Sequence, residues 1–408
     1  MGIFDRFNTK NKAAEQEKII AEKKEREHQN VVEEQRAAHE NLMWPGIQRL
    51  NKLAVNGSTI SADDPVTEAR KDEIGPLVYE PDLTPEMLQD LNLQELLFVQ
   101  LTMTVFNKSA ALLNYEKNSR VLHNELLGRI HKAEKFYIIF NRKTGYPLID
   151  GGYVLVYLDR EHADRAAELY KAQFRDAGVV ERPGENAPAD ENGRRPLALF
   201  DYLYYLGTEN VLIDNGWYKG SIKRSEVSAP IDWNSDPRKT PPTNPKLVFA
   251  MIDYISEVRW PVKYDKRDEN VKKKSERMMK RIPTARYIIP AKVTGVNSDN
   301  VPAELPEGKK ISRQVQLPAI EVNKKRYLPL FTDMLEYSKK FSDSEMKPTI
   351  FEYKELVRFV TGGIEGVIIN PNGQGIIVPK DKVQSLLFEA AGSKKTDSAG
   401  KDSTGSKT

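Results

Sequence analysis

The stretch GVIINPNGQGIIVPK, Gly366 to Lys380, is where this chain could hold a phosphate, because Gly373 and Gly375 bracket Gln374 after a β-branched run. A nucleotide loop needs a strand, then glycines, then a helix whose first N–H groups face the phosphates. Here Ile376, Ile377 and Val378 follow, a second β-branched run that Pro379 ends, and Val378 stands where the third glycine of GxGxxG belongs. Two such runs around Asn-Pro-Asn-Gly predict a β-hairpin instead. The histidines are His28, His39, His123, His131 and His162, and none belongs to an HExxH pattern. His123 and His131 lie two turns apart on a predicted helix, but further ligands are missing, so surface or half-buried histidines are expected. Carboxylates are abundant yet spread along solvated helices, with no pair in the apolar setting that would raise one pKa. The chain has no cysteine, which removes thiolate nucleophiles, persulfide chemistry, disulfides and Cys-ligated metals. Neither a G-x-S-x-G elbow nor a Walker A sequence occurs. The expectation is a protein with no catalytic residue, no cofactor and no metal.

Charge points the same way. Lys+Arg 62 against Asp+Glu 59 leaves a formal +3, too little to drive the whole chain toward nucleic acid or membrane. With 39% hydrophobic and 30% charged residues, the chain reads as a soluble protein with some solvated segments. It has no apolar run of about eighteen residues, and MGIFDRF lacks the apolar core of a secretory signal. Gly2 is present, but Arg6 occupies the place where N-myristoylation wants Ser or Thr. A frayed amphipathic end is expected there, with weak membrane-surface contact at Gly2 to Phe7 as the alternative. The cationic cluster Lys263 to Arg281, as a helix, would turn Val271, Met278 and Met279 to the core and Lys272, Lys273, Arg277 and Lys280 to water. Only Tyr264 is near for base stacking, so a solvated face and no nucleic-acid partner are expected.

The elements that position these residues fall into six stretches. Residues 1–45 form a charged arm, dense in both signs and free of Gly and Pro from Lys10 to Glu40. Its apolar pairs are interrupted between Glu22 and Asn30, so it reads as a lone helix docking on a partner rather than a coiled coil. Residues 46–88 read as a linker rich in Gly, Ser, Asp and Pro, 231–243 as a second linker, and 392–408 as a disordered tail. Between them the chain repeats itself. ELLFVQL at Glu95 is echoed by KLVFAMI at Lys246, KFYII at Lys135 by ARYII at Ala285, and YVLVYLD at Tyr153 by YLPLFTD at Tyr327. LFDY at Leu199 is echoed by IFEY at Ile350, and VLIDNGWYKGSIKRSEV at Val211 by VIINPNGQGIIVPKDKV at Val367. Five ordered matches, each roughly 150–175 residues on, predict a tandem duplication with domains at 89–230 and 244–391.

Each copy reads as helix, helix, strand, strand, helix, short helix, strand, hairpin strand, helix: an α+β fold, a small mixed sheet with flanking helices. Asp159 and Asp333 follow apolar strands and precede helical runs, the setting of an N-cap. Phe200, Tyr202, Phe351 and Tyr353 are placed on short helices and in the core. Surface inserts are expected at Gly178–Pro196 and Ala291–Arg326, the latter with an added hairpin strand. The duplicated hairpin tips differ: Trp217-Tyr218 stands where the sister copy has Gly373-Gln374. Two large rings at a tip either pack within the chain or anchor a partner, which makes Trp217 and Tyr218 the candidate interaction residues.

On the YLPLFTD strand with its Asp, the aromatic short helix, and the GVIINPNG turn followed by an apolar strand and P-K, the chain resembles the SseB family, named for enhanced serine sensitivity. The second copy, Asn244 to Ala391, resembles the N-terminal SseB domain well; the first is looser, with Asp214-Asn215 in place of Asn370-Pro371. The resemblance implies a bacterial cytoplasmic protein of α+β fold and supplies no agreed catalytic residues. It carries an association with sulfurtransferase activity, which a chain without cysteine cannot perform by a persulfide route. The function expected is therefore a non-catalytic interaction or scaffold protein, meeting a protein partner through the N-terminal helix or an inter-domain surface. The rival expectation is an enzyme or small-ligand protein with a site in the cleft between the copies.

Overall fold

The computed structural model describes residues 3–47, 63–230, 240–294, 314–342 and 344–387. The tail 392–408, the linker 231–243 over most of its length, the core of the 291–326 insert and the side chains of Gly2 to Phe7 lie outside what is described. The fold is mixed, with several small sheets and flanking helices and, among the described residues, no closed barrel.

The arm is one helix, α1 (Ile3–Ala37). An uninterrupted run of good helix formers, with Lys23 facing Glu27 one turn on (3.8 Å), favours it. From Lys18 to Glu27 every residue is exposed. Beyond the arm, part of the expected linker is folded. Helix α2 (Glu68–Ile74) is capped by Thr67 and runs into a 3-10 turn, Gly75–Tyr79, followed by α3 (Pro85–Leu88). Val66, Ile74, Val78, Tyr79 and Leu83 are buried. The polar residues between them mask a core contribution that has neither helical nor strand period. Helix α4 (Leu93–Ser109) opens with a full capping box, Asn92 with Glu95. It packs on α5 (Tyr115–Lys132), whose buried Leu122, Leu126 and Ile130 recur once per turn.

Strands follow: β1 (Lys135–Asn141), β2 (Tyr146–Pro147), β3 (Ile149–Asp150) and β4 (Tyr153–Tyr157), then α6 (Arg160–Ala172), β5 (Ala177–Pro183), α7 (Leu199–Tyr205), β6 (Asn210–Ile213) and β7 (Gly220–Lys223). Their order is β2-β1-β4-β6-β7, with β5 on β1 and β3 on β4. The insert expected as surface loop from Gly178 thus begins inside a strand. Next come α8 (Pro245–Val258), α9 (Arg267–Arg281), β8 (Arg286–Thr294), β9 (Gln314–Gln316), β10 (Ile320–Val322), β11 (Lys325–Leu330), α10 (Met334–Phe341), β12 (Lys347–Glu352), α11 (Tyr353–Leu356), β13 (Ile364–Ile369) and β14 (Ile376–Pro379). They form a sheet β10-β11-β13-β14, in which β11 and β13 are parallel, and a second sheet β12-β8-β9. On α9, Met278 is buried, Val271 and Met279 are half-buried, and Lys272, Lys273, Arg277 and Lys280 are exposed.

Aligned segments have aligned elements. β1 and β8 are the first strands; β4 and β11 each run into a helix capped by the following Asp; β6 with β7 and β13 with β14 close each succession. Asp159 accepts from the N–H of Glu161 and His162, and Asp333 from that of Glu336. Asp214 and Asn370, at matched positions after β6 and β13, both take a left-handed backbone, φ 51° and 49°, which short polar side chains tolerate. One expectation fails: Phe351 lies on β12, not on a short helix, and Tyr353 begins α11. All six residues of KPTIFE pair antiparallel with β8, and that partner strand sets the conformation.

The contacts divide the chain into two compact units. The first is Met1–Lys135 with Gly184–Asn186 and Leu212–Ser221; the second is Phe136–Pro183, Ala187–Val211 and Ile222–Thr408. Most of the strands read from the first segment therefore share a unit with the second segment.

Candidate functional site

In the first unit, the site is the seat of the arm. The last turns of α1 carry His28 and Gln35, and the turn that follows adds His39, three polar anchors that dock this end of the arm. His28 Nε2 meets Glu80 Oε2 at 2.8 Å, and Gln35 Oε1 accepts from the Leu113 N–H at 3.0 Å. His39 is only 2% exposed and stacks on Phe106, with ring centroids 5.3 Å apart and planes 9° from parallel. Trp44 stacks on Phe106 as well (5.4 Å, 6°), meets Phe98 edge-on, and donates its indole N–H to Asp72 at 2.8 Å. The seat explains Gly75: a Cβ there would lie 2.6 Å from the Trp44 ring. This aromatic cluster, completed by Tyr79, fixes the C-terminal end of a helix whose residues Lys18 to Glu27 are exposed.

Trp217 and Tyr218 belong to the same unit, and neither is presented to a partner. Trp217 is 5% exposed and Tyr218 fully buried, so of the two fates open to the tip rings the structure shows packing within the chain. Tyr218 packs edge-on against Phe98, and its hydroxyl donates toward Asp64 Oδ2 (2.8 Å) with Pro45 O also at 3.1 Å. Asp64 also holds the buried Lys71 at 2.9 Å. The Gln94 amide donates to Asp214 Oδ2 (2.8 Å) and the Tyr218 carbonyl, and its oxygen accepts the Tyr218 N–H at 3.0 Å. The hairpin tip is a structural plug that ties down the chain just after the arm. Burial, then the Asp64 carboxylate, raise the Tyr218 hydroxyl well above the ordinary phenol range, so it stays a donor.

In the second unit a polar core gathers at the start of α10. Asp333 is 2% exposed; it caps α10 through the Glu336 N–H (3.0 Å) and accepts the Thr332 hydroxyl at 2.7 Å. Glu336, one turn on, turns away from the capping-box return and receives the Tyr146 hydroxyl (2.8 Å) and Lys339 Nζ (2.7 Å) on Oε1. Asn370 donates to Thr332 Oγ1 (2.8 Å) and Gln374 Oε1 (2.7 Å) and accepts the Thr332 N–H. Arg182 lies over the Tyr202 ring at 4.3 Å. Burial above all, with Glu336 adding to it, lifts Asp333 from 3.8 to about 6, while its two hydrogen bonds and Lys339 pull the other way. Burial likewise pushes Tyr202 up to about 12, and drives Tyr146, with Glu336 beside it, far above its ordinary value. Glu336 Oε2 and Gln374 Nε2 make no hydrogen bond. Gly373 faces this core, which settles its role: a Cβ would lie 2.3 Å from the Tyr146 hydroxyl and 2.4 Å from Glu336 Oε2. The glycine of the opening stretch permits a close approach; no helix follows it to receive a phosphate.

Three of these features escaped the sequence reading. Asp333 and Glu336 are a buried carboxylate pair, and the D-x-x-E spacing after YLPLFT was the available signal. Tyr146 had none, because its partner lies 190 residues away. His39 had no reading of its own, because the rings that cover it, Tyr79 and Phe106, lie forty or more residues away. His123 and His162 are half-buried and His131 exposed; no group of His, Asp and Glu among the described residues is placed to hold a metal. No described helix is long and apolar enough to cross a membrane. Residues 265–385, from α9 through β14 and including the polar core, match the family model of the SseB protein N-terminal domain. No curated protein and no solved structure matches the chain.

Proposed function

We propose that this chain, with an SseB N-terminal domain at residues 265–385, is a non-catalytic interaction or scaffold protein of the bacterial cytoplasm that meets a protein partner through α1. One observation carries the reading. The helix is locked at its base by His28, Gln35 and His39, while its outer part leaves Ile19 and Ile20 59% and 55% exposed. A 35-residue helix tied down near its C-terminal end, with adjacent isoleucines in water, is suited to lay its apolar positions on another surface. We further read the two segments as copies of one SseB-like unit, on the matched strands, the two Asp caps and the shared left-handed turn position. The rival, a small-ligand site, has in its favour the two unpaired atoms Glu336 Oε2 and Gln374 Nε2. The side chains around them are already spent on one another, so the arm is preferred. A photo-crosslinking residue at Ile20 should yield a discrete protein adduct in host extract, and one at exposed Val258 should not. Adducts at both sites or at neither would defeat this reading.

A further inference from the structure

A cavity of about 230 Å³ opens in the second unit where the start of α8 meets the end of α9. It has room for roughly seven waters at about 30 Å³ each. Its walls include Lys246 and Arg281, and none of its lining residues is Asp or Glu. Both cations are exposed, and among the described residues neither head group meets a carboxylate. Two positive charges on one cavity, with no negative charge between them, repel each other until an anion enters.

The start of α8 adds to this field instead of cancelling it. Its first turn carries no acid and places Lys246 at the second position, although a cation there opposes the positive end of the helix dipole. Asn244 stands at the N-cap, yet its side chain does not cap the helix. Its amide nitrogen donates instead to the carbonyl oxygens of Arg286 (2.7 Å) and Thr332 (2.6 Å), which ties α8 to the start of β8 and the end of β11. Pro245 has no N–H. The Leu247 and Val248 N–H groups both turn back to the Asn244 carbonyl, at 3.0 and 2.9 Å, and the Lys246 N–H has no acceptor among the described residues. The residue that could have capped the helix is engaged elsewhere, and an open donor remains beside the two cations.

We propose that this cavity binds a small phosphate ester, with Lys246, Arg281 and the Lys246 N–H on the phosphoryl oxygens and the carbon part on Leu247 and Ala285. Charge selects the ligand. A phosphate monoester carries about −1.5 to −2 at neutral pH, which matches two unpaired cations better than the single charge of a carboxylate. The lining offers neither carboxylate nor imidazole to move a proton, so the site holds its ligand without transforming it. No residue of α1 takes part, and the site stands apart from the reading of the arm.

The test is calorimetric titration of the full chain with glycerol 3-phosphate, in low salt at about pH 7.5, where the ester is doubly ionised. Saturable one-site binding is expected, weakening as salt is added. Lys246→Gln and Arg281→Gln should each weaken it ~10-fold or more, the size of one lost charge-assisted hydrogen bond. Lys272→Gln makes the same charge change at an exposed position outside the cavity and should leave the affinity within about twofold. All three replaced side chains are exposed, so the fold is kept. Inorganic phosphate should bind more weakly, because it has no carbon part to lay on Leu247 and Ala285. Absence of saturable binding, an equal loss in Lys272→Gln, or inorganic phosphate binding as tightly as the ester would overturn the assignment.

Discussion

Replacing Asp333 by Asn should stabilise the second unit at neutral pH. A carboxyl lifted from 3.8 to about 6 by burial weighs against folding once ionised. At about 1.4 kcal/mol per tenfold change in proton affinity, the burden is about 3 kcal/mol. The sign is fixed by linkage: between 3.8 and about 6 the folded state holds the proton more tightly than the unfolded state. Wild-type stability therefore falls as pH rises through that window and is flat, for this group, on either side. Asn removes the charge and keeps the cap, since Asn and Asp are equivalent at that position. The substitution sacrifices the hydroxyl hydrogen bond from Thr332, a loss of about 1 kcal/mol, because the amide nitrogen facing that oxygen cannot accept. The expected net gain is about 2 kcal/mol near pH 7.5, vanishing or reversing near pH 4. Urea unfolding followed by far-ultraviolet circular dichroism, for both chains at several pH values, measures it. A loss of stability at pH 7.5, or a difference that does not change with pH, would show that Asp333 is an ordinary ionised cap and refute the argument.

Two further substitutions test the close packing. Gly373→Ala puts a methyl group against the Tyr146 hydroxyl and Glu336 Oε2 and should cost about 1–3 kcal/mol. The penalty should shrink in a Tyr146→Phe background, and a neutral Gly373→Ala would mean the turn yields freely. The double change Trp217→Gly with Tyr218→Gln writes the sister tip into the first hairpin. It should lower the stability of the first unit by about 3–5 kcal/mol, seen as a fall in its melting temperature, and unchanged melting would contradict the burial of both rings.

What the sequence could disclose was whatever is periodic or local. The strand at GVIINPNGQGIIVP, the Asp caps at 159 and 333, and the basic helix with Met278 inward are set by neighbours within a few residues, and they stand where they were read. Phe351 shows the limit: IFE carries too few residues to separate strand from short helix, and its register with β8 was decided by partners some sixty residues away. The folded stretch after residue 62 was missed for the same kind of reason. Val66, Ile74 and Tyr79 are buried at irregular spacing, Tyr79 against His39 and Phe106 far off in sequence, so no period marks them.

The two polar sites were hidden differently, and the difference bears on function. Asp333 and Glu336 were visible as residues but not as a buried pair, since their surroundings come from Tyr146 and from the Asn370–Gly375 turn. That core is closed by mutual hydrogen bonds, and its glycine admits a tyrosine hydroxyl rather than a ligand. His39 is the opposite case. Its ring joins the end of a helix whose residues Lys18 to Glu27 are exposed to the end of α4, and both of its nitrogens face carbonyl oxygens. A purely structural anchor there could have been a second aromatic, stacking on Phe106 as Trp44 already does. The imidazole adds to that stacking a polar tie to two helix ends, which a purely apolar ring could not make.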